Sequence, residues 1–423
     1  MIFFLLVASS SGYWIWRKGW LANKVEVAVS GGIYREGIVA SSLSDVTPAI
    51  NMLTKVGLTR LDDDGQIQPA LAESWQISDE DKVYTFNLKP AFDADKIRQS
   101  IEDNHQLFPD IDFEVTDTQV IFNLSQPFSP FLATTAEPIF PYGPFQIEEQ
   151  KKGEISFIPR PDALAQPFLE KIILRVYLDG FNLTQALADG EIDGVANLAD
   201  VENTNLADSL NGWQIDLPRR IYLFFNTKNE NVADADTRRR LNNGDSLDNP
   251  IELTITTLAN PRHEELARTL ADKWLLLGAT VKIETFTATE LANEIVPQRK
   301  YQLLIYGLDF GGDPDPYPFW HSSQIGEEGL NLSNFANIDA DRLLEKARQS
   351  NDVDQRVNLY AQFQDIFNRE VPAIELDQIS VQFGTDQSIK GVKSLTGLSS
   401  ADRFKHVDEW YKETKRISKK DPS

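Results

Sequence analysis

Apolar positions recur along the chain with two different periods. Tyr84, Phe86 and Leu88 take every second position after Val83, and Val120, Phe122 and Leu124 repeat the pattern behind the turn residues Thr116 to Thr118. Period-two alternation predicts half-buried strands. With the polar turn LDDDGQIQP over Leu61 to Pro69, these segments predict a small β-rich subdomain. Upstream, the glycine pair Gly31-Gly32 leads to the apolar run Ile38-Val39-Ala40, suited to a buried strand. Further on, Ile172 to Tyr177 reads as a strand, and Leu183 to Ala188 as a short helix stopped by Gly190.

The segment from Ile221 to Asn229, IYLFFNTKN, is apolar and then abruptly polar, which predicts a strand running from one lobe towards another. After it, Ile251, Leu253 and Ile255 alternate as a strand, Asn260 caps a helix and Pro261 fits its first position. Leu266, Leu270, Trp274 and Leu277 give that helix an apolar face, and Gly278 supplies the left-handed conformation that ends it. A second strand, Val281 to Phe286, completes a βαβ unit, followed by a helix near Leu291 to Val296 and a strand over Leu303 to Tyr306. This is an α/β lobe with at least partly parallel strands. In the C-terminal third, Leu359, Phe363 and Phe367 predict one more helix, closed by Pro372.

At 423 residues the chain exceeds the roughly 250–300 at which one core stops growing, so at least two lobes are expected. A net charge of -23 would repel phosphate backbones, which argues against a nucleic-acid partner. The chain has no cysteine, which removes disulfides, thiolate nucleophiles and thiolate metal sites together. Four scattered histidines form no zinc motif, no Gly-Lys-Ser/Thr phosphate loop follows the glycines, and no Gly-x-Ser-x-Gly elbow occurs. No catalytic residue, metal or cofactor is therefore expected. At the N-terminus, the apolar run Ile2 to Trp16 ends among Trp14, Trp16, Arg17, Lys18 and Trp20. Tryptophan beside basic residues marks a membrane edge, so an uncleaved anchor is expected, with further residues upstream and everything after Trp20 on the outer face.

One stretch remains distinctive: GLDFGGDPDPYPFWHSSQ, Gly307 to Gln324, directly after a strand of the α/β lobe. Loops at strand ends are where such sheets bind ligands. Its aromatic rings suit apolar ligand surface, and a carboxylate there suits an ammonium group. The same proline-rich pattern also serves to cap a core.

Seven segments in order resemble the family 5 extracellular solute-binding proteins of ABC importers: YREGIV (Tyr34 to Val39), VGLTRLDDDGQIQPALAESWQISDEDKVYTFNLK (Val56 to Lys89), YGPFQI (Tyr142 to Ile147), ALADGEIDG (Ala186 to Gly194), LFFNTK (Leu223 to Lys228), DPDPYPFWHSSQ (Asp313 to Gln324) and VPAIEL (Val371 to Leu376). The resemblance implies an α/β, two-lobed, type II periplasmic-binding-protein-like fold with an extra small β-rich subdomain. It divides the chain into an anchor or signal-like segment (1–22), lobe I (23–60), a reduced β-rich subdomain (61–140), the second part of lobe I with the hinge (141–228), lobe II (229–379), and a return to lobe I with the tail (380–423). It implies capture of oligopeptides or dipeptides in an interlobe cleft and delivery to the permease subunits of an ABC importer. The protein would be a monomer on the outer face of the cytoplasmic membrane, extracellular or periplasmic, held by its N-terminal segment.

By position in the family's pattern, Ile38, Val39, Ala40 and Ser41 supply a strand edge for the peptide. Asp309 is the nearest match to the ammonium-binding aspartate but needs a one-residue insertion, so Asp313 and Asp315 compete for the role; Tyr317 and Trp320 line the cleft. The chain departs from the family after Lys89, where a Trp-His-Asp-Gly-like turn is missing, and after DADTRRRLNN, where GDSLDNPIELTI intervenes. The alternative is a degenerate member that binds a non-peptide solute or acts as a surface interaction protein.

Overall fold

The computed structural model describes residues 24–418 except Asp79, Pro90, Ala91 and Asp110. The expected membrane anchor, 1–22, lies outside the described residues. The eleven strands of the central sheet are β1 (Ile33–Val39), β2 (Phe145–Lys151), β3 (Glu154–Pro159), β4 (Lys171–Tyr177), β5 (Gly194–Val195), β6 (Asn211–Phe225), β7 (Ile251–Leu258), β8 (Ala279–Phe286), β9 (Leu303–Asp309), β10 (Ala373–Thr385) and β11 (Leu395–Thr396). They lie in the order β8-β7-β9-β6-β10-β5-β1-β4-β3-β2, with β11 beside β6.

Two of these strands are much longer than the rest, and they join the lobes. β6 pairs antiparallel with β10 from Asn211↔Thr385 to Phe224↔Ala373, and the register breaks between Asp216 and Arg220. Pro218 sits inside that break; it has no N–H to give to a ladder, so an irregularity is where a strand tolerates it. Ahead of Pro218, Ile215 and Leu217 join a core with Tyr34, Phe145, Phe383 and Trp410, that of lobe I. After it, Ile221, Leu223 and Phe225 face one core of lobe II while Tyr222 and Phe224 face the other. Burial on both faces explains why the sequence there runs apolar without alternation. The interlobe passage read from Ile221 to Asn229 thus begins earlier, in a strand that starts at Asn211.

In lobe II, β7 pairs parallel with both β8 and β9, as the βαβ pattern predicts. The crossover helix α1 (Pro261–Leu275) is capped by the Asn260 side chain, which accepts from the His263 N–H at 2.9 Å. It buries Ala267, Leu270 and Trp274, and Gly278 beyond it adopts φ +100°. The other face of the sheet is covered by α2 (Tyr317–Trp320), α3 (Ile338–Gln349) and α4 (Val353–Glu370). The β-rich subdomain is a four-stranded antiparallel sheet, Ala72–Ser78, Val83–Leu88, Gln119–Asn123 and Asp112–Val115 in spatial order. Phe131 packs edge-on against Tyr84 and Phe122, with ring centroids 4.8 and 5.1 Å away.

A buried ion pair fixes β1 to the C-terminal part of lobe I. Arg403 Nη2 donates to Glu36 Oε1 at 2.6 Å, and Tyr34 Oη donates to Glu36 Oε2 at 3.0 Å. Side-chain exposure is 3% for Arg403 and 0% for Glu36. Burial pushes the Tyr34 hydroxyl's pKa well up, aided by the neighbouring Glu36 charge, so it stays a donor. Arg403→Ala should cost about 3–5 kcal/mol, because it leaves the Glu36 charge buried without a partner. Urea unfolding of the variant against the parent measures this, and a loss under about 1 kcal/mol would contradict it.

Candidate functional site

The segment Ile38, Val39, Ala40 and Ser41 lies at the carboxyl end of β1. On one side the pairing with β4 runs through Tyr177↔Val39, and the Ala40 N–H continues it to the Tyr177 carbonyl at 2.9 Å. On the other side β5 pairs only with Glu36 and Gly37. The Asp193 and Ala196 N–H groups donate to the carbonyls of Arg35 and Gly37, so the alternation of a parallel ladder aims Val39 at the same side. Among the described residues no strand of the sheet continues there, since β5 ends at Val195. Ile38, Val39 and Ala40 are half-buried and Ser41 is exposed.

Asp309 ends β9, directly across from Arg219 of β6. Arg219 Nε donates to Asp309 Oδ2 at 2.7 Å, and the Gly311 N–H donates to Oδ1 at 3.0 Å. The pair is flanked by the strand crossing, where the Phe310 N–H donates to the Pro218 carbonyl. It is flanked also by Gly312, where a Cβ would come within 3.1 Å of Leu61 and 3.4 Å of Leu398. It therefore sits on the boundary between the lobes.

The other two aspartates of the loop meet arginines of the helices behind it. Arg356 Nη2 donates to Asp313 at 2.7 Å. Arg348 Nε lies 3.0 Å from Asp315 Oδ2, in contact but not aligned as a hydrogen bond. Burial outweighs this attraction and raises the Asp315 pKa. The Arg348 guanidinium is held between two rings, 4.3 Å from the Tyr317 centroid and 5.0 Å from that of Phe128 in the subdomain. Tyr317 in turn stacks on His321 with centroids 4.1 Å apart. The Ser129 N–H donates to the Arg348 carbonyl at 2.9 Å, and Asn351 Nδ2 donates to Tyr84 Oη at 3.0 Å. Asp315, Tyr317 and Arg348 thus clamp lobe II to the β-rich subdomain. Trp320 is only 3% exposed, packed among Tyr222, Phe224 and Phe367 in the lobe II core, and offers no surface to a ligand in this conformation.

A cavity of about 470 Å³ opens elsewhere, on lobe II, where its lining includes Asn226, Thr254, Thr256, Glu284, Arg299 and Gln302. Among the described residues no group of three His, Cys, Asp or Glu side chains is placed to hold a metal ion. Among the same residues, no helix is long and apolar enough to cross a membrane.

Two α/β lobes joined by a pair of shared strands, with loops meeting at the crossing, make an architecture that permits hinge motion of one lobe against the other. The fold is that of type II periplasmic binding proteins. The family description "Bacterial extracellular solute-binding proteins, family 5 Middle" matches residues 66–244. The chain is 24% identical to the probable D,D-dipeptide-binding periplasmic protein DdpA of Escherichia coli, over 77% of this chain and 82% of that one. Among solved structures, HbpA2 from Haemophilus parasuis superposes with a TM-score of 0.75 at 18% identity, over 86% of this chain and 97% of that one. DppA from Helicobacter pylori in complex with peptide STSA superposes with a TM-score of 0.62 at 20% identity, over 91% and 99%. By these matches the chain is similar to family 5 of the bacterial extracellular solute-binding proteins.

The clamp gives opposite expectations for its two halves. Arg348→Ala removes the cation shared by two rings and a buried carboxylate, and should lower the melting temperature and speed amide exchange in both 128–131 and 338–351. Asp315→Asn keeps an oxygen for the Tyr317 N–H, which donates to Oδ1 at 3.0 Å, and relieves a carboxylate that burial disfavours. It should be neutral or stabilising within about 1 kcal/mol at pH 7. The sign follows from the raised folded pKa: the charged form is the disfavoured one, so the gain over the parent appears as pH rises and fades in acid.

Proposed function

We propose that the protein captures short peptides between its lobes and passes them to the permease subunits of an ABC importer on the outer face of the cytoplasmic membrane. The observation that carries this reading is the end of β1. Val39 turns one main-chain N–H and C=O towards a side where, among the described residues, no strand of the sheet continues, and an extended peptide satisfies such an edge as an added strand does. Ile38 and Ala40 alternate towards β4, so of the four expected residues Val39 carries the open main-chain edge, and Asp309 with Arg219 is the polar group offered by lobe II. Support comes also from relatives whose names record dipeptide and oligopeptide binding. The protein acts as a monomer, with no chemistry of its own, and residues 1–22 anchor it to the membrane. Asp315 serves the clamp, and Asp313 is committed to Arg356 within lobe II, rather than to the ligand.

A second reading, capture of a non-peptide solute, is favoured by that same pairing: each of the three aspartates in the loop already faces an arginine. Thermal unfolding in the presence of a mixed library of dipeptides and tripeptides separates the two. A peptide at a hundredfold excess over its dissociation constant should stabilise the protein by about 2.7 kcal/mol. An unchanged melting temperature at millimolar peptide would turn the assignment to another solute.

A further inference from the structure

Lobe II carries a concave site at the opposite end of its sheet from the lobe boundary. The cavity of about 470 Å³ opens where β6 ends and β9 begins, and there the Asn226 N–H donates to the Gln302 carbonyl at 2.9 Å, just beyond the Phe225↔Leu303 pair. Arg219 and Asp309 pair at the other end of the same two strands. β9 has seven residues, so the two places lie roughly 20 Å apart. Thr254 and Thr256 of β7 form the cavity floor with Glu284 of β8, which pairs directly with Thr256.

The charge around this cavity runs against that of the whole chain. Net charge is -23 overall, yet the lining holds three cations, Lys228, Arg299 and Lys300, and one carboxylate, Glu284. Among the described residues none of the three cations forms an ion pair, and the hydrogen bonds that Lys228 and Lys300 donate come from their backbone N–H groups, to the Asn226 side chain and the Ile295 carbonyl. Both ammonium groups are therefore open. Arg299 is fixed in place: its terminal amino groups donate to the carbonyls of Val296, Gly329 and Asn331, while its Nε is buried with no partner. A buried donor left unpaired is rare in a native structure. Glu284 is already engaged, since Lys282 Nζ donates to its Oε1 at 2.6 Å. A concave surface lined mainly by one sign of charge concentrates ions of the other sign.

We propose that this cavity is a binding site for a small multivalent oxyanion, a phosphate or polycarboxylate group, separate from any ligand held between the lobes. The three cations against Glu284 leave a surplus of two positive charges, which a monovalent ion does not match. Lys228 and Lys300 reach the anion from the two walls, Arg299 adds a fixed charge beside them, and the Thr254 and Thr256 hydroxyls are donors at the floor. The inference goes beyond the peptide reading and does not depend on what the interlobe site binds.

The test uses the full chain at constant pH, with pyrophosphate and citrate as probes and ionic strength held with sodium chloride. Titration calorimetry should show saturable binding of one anion per chain, and amide exchange should slow in 226–229 and 299–302. Lys228→Gln with Lys300→Gln should weaken the affinity by at least about tenfold, the worth of one charge-assisted hydrogen bond. Both side chains are exposed, so the melting temperature without anion should stay that of the parent. Glu284→Gln should tighten binding. Lys152→Gln with Lys346→Gln removes the same charge at two other exposed lysines and should leave the affinity unchanged. Absence of saturable binding at millimolar probe overturns the proposal. So do equal losses in the two double variants, which would reduce the effect to general attraction, or slowed exchange at 219–220 and 309–312 in place of the cavity segments.

Discussion

The antiparallel pairing of β6 with β10 is the constraint on which the rest of the structure depends. These two strands cross from one lobe to the other hydrogen-bonded to each other, so the lobes share a sheet rather than hang on a linker. Bending such a ribbon is easiest where the ladder is already interrupted, and the interruption is at Asp216 to Arg220, around Pro218. The polar groups a ligand could meet begin at that point: Arg219 is within it, and Asp309 reaches it through the Phe310 N–H on the Pro218 carbonyl. A movement at the crossing therefore carries the Arg219-Asp309 pair with it.

A second constraint acts from the far end of lobe II. Through Arg348, Ser129 and the contact of Asn351 with Tyr84, the helices behind the aspartate loop are held against the β-rich subdomain. The guanidinium suits this place because its flat faces can lie against two rings while its edge meets Asp315. Its charge also explains why an imperfectly paired carboxylate is tolerated in the interior. The subdomain is thereby a brace for lobe II, in addition to being an appendage of lobe I.

Much of the fold was legible because it follows from periodicity. The alternation at Tyr84, Phe86 and Leu88, the Asn260-Pro261 start of α1 and its end near Gly278 are local signals, and each element appears where its signal lies. The long strand β6 was read only in its apolar second half, because residues 211–220 mix charged and polar side chains with Pro218. Only the pairing with β10, some 160 residues away, makes them one strand. The site was less legible for the same reason. The loop DPDPYPFW stands out by composition, but what its aspartates do depends on Arg348 and Arg356, which lie in helices with no local mark of that role. Trp320 illustrates the limit: an aromatic in a proline-rich loop has the same local pattern whether it faces a cleft or a core, and here Phe224 and Phe367 surround it.

The distribution of charge along the loop suggests a division of labour. Asp313 and Asp315 are nearly buried, and their arginines come from helices of the same lobe, so these pairs travel as one body when the lobes move. Asp309 and Arg219 are half-exposed, and the arginine comes from the strand that joins the lobes. Exposed pairs contribute little to stability, because water competes for both partners. The placement of Arg219 opposite Asp309 is thus poorly explained by folding. Loss of water on closure would strengthen whatever contacts a ligand made at a polar pair of low structural value where the lobes diverge, and would penalise mispaired charges there.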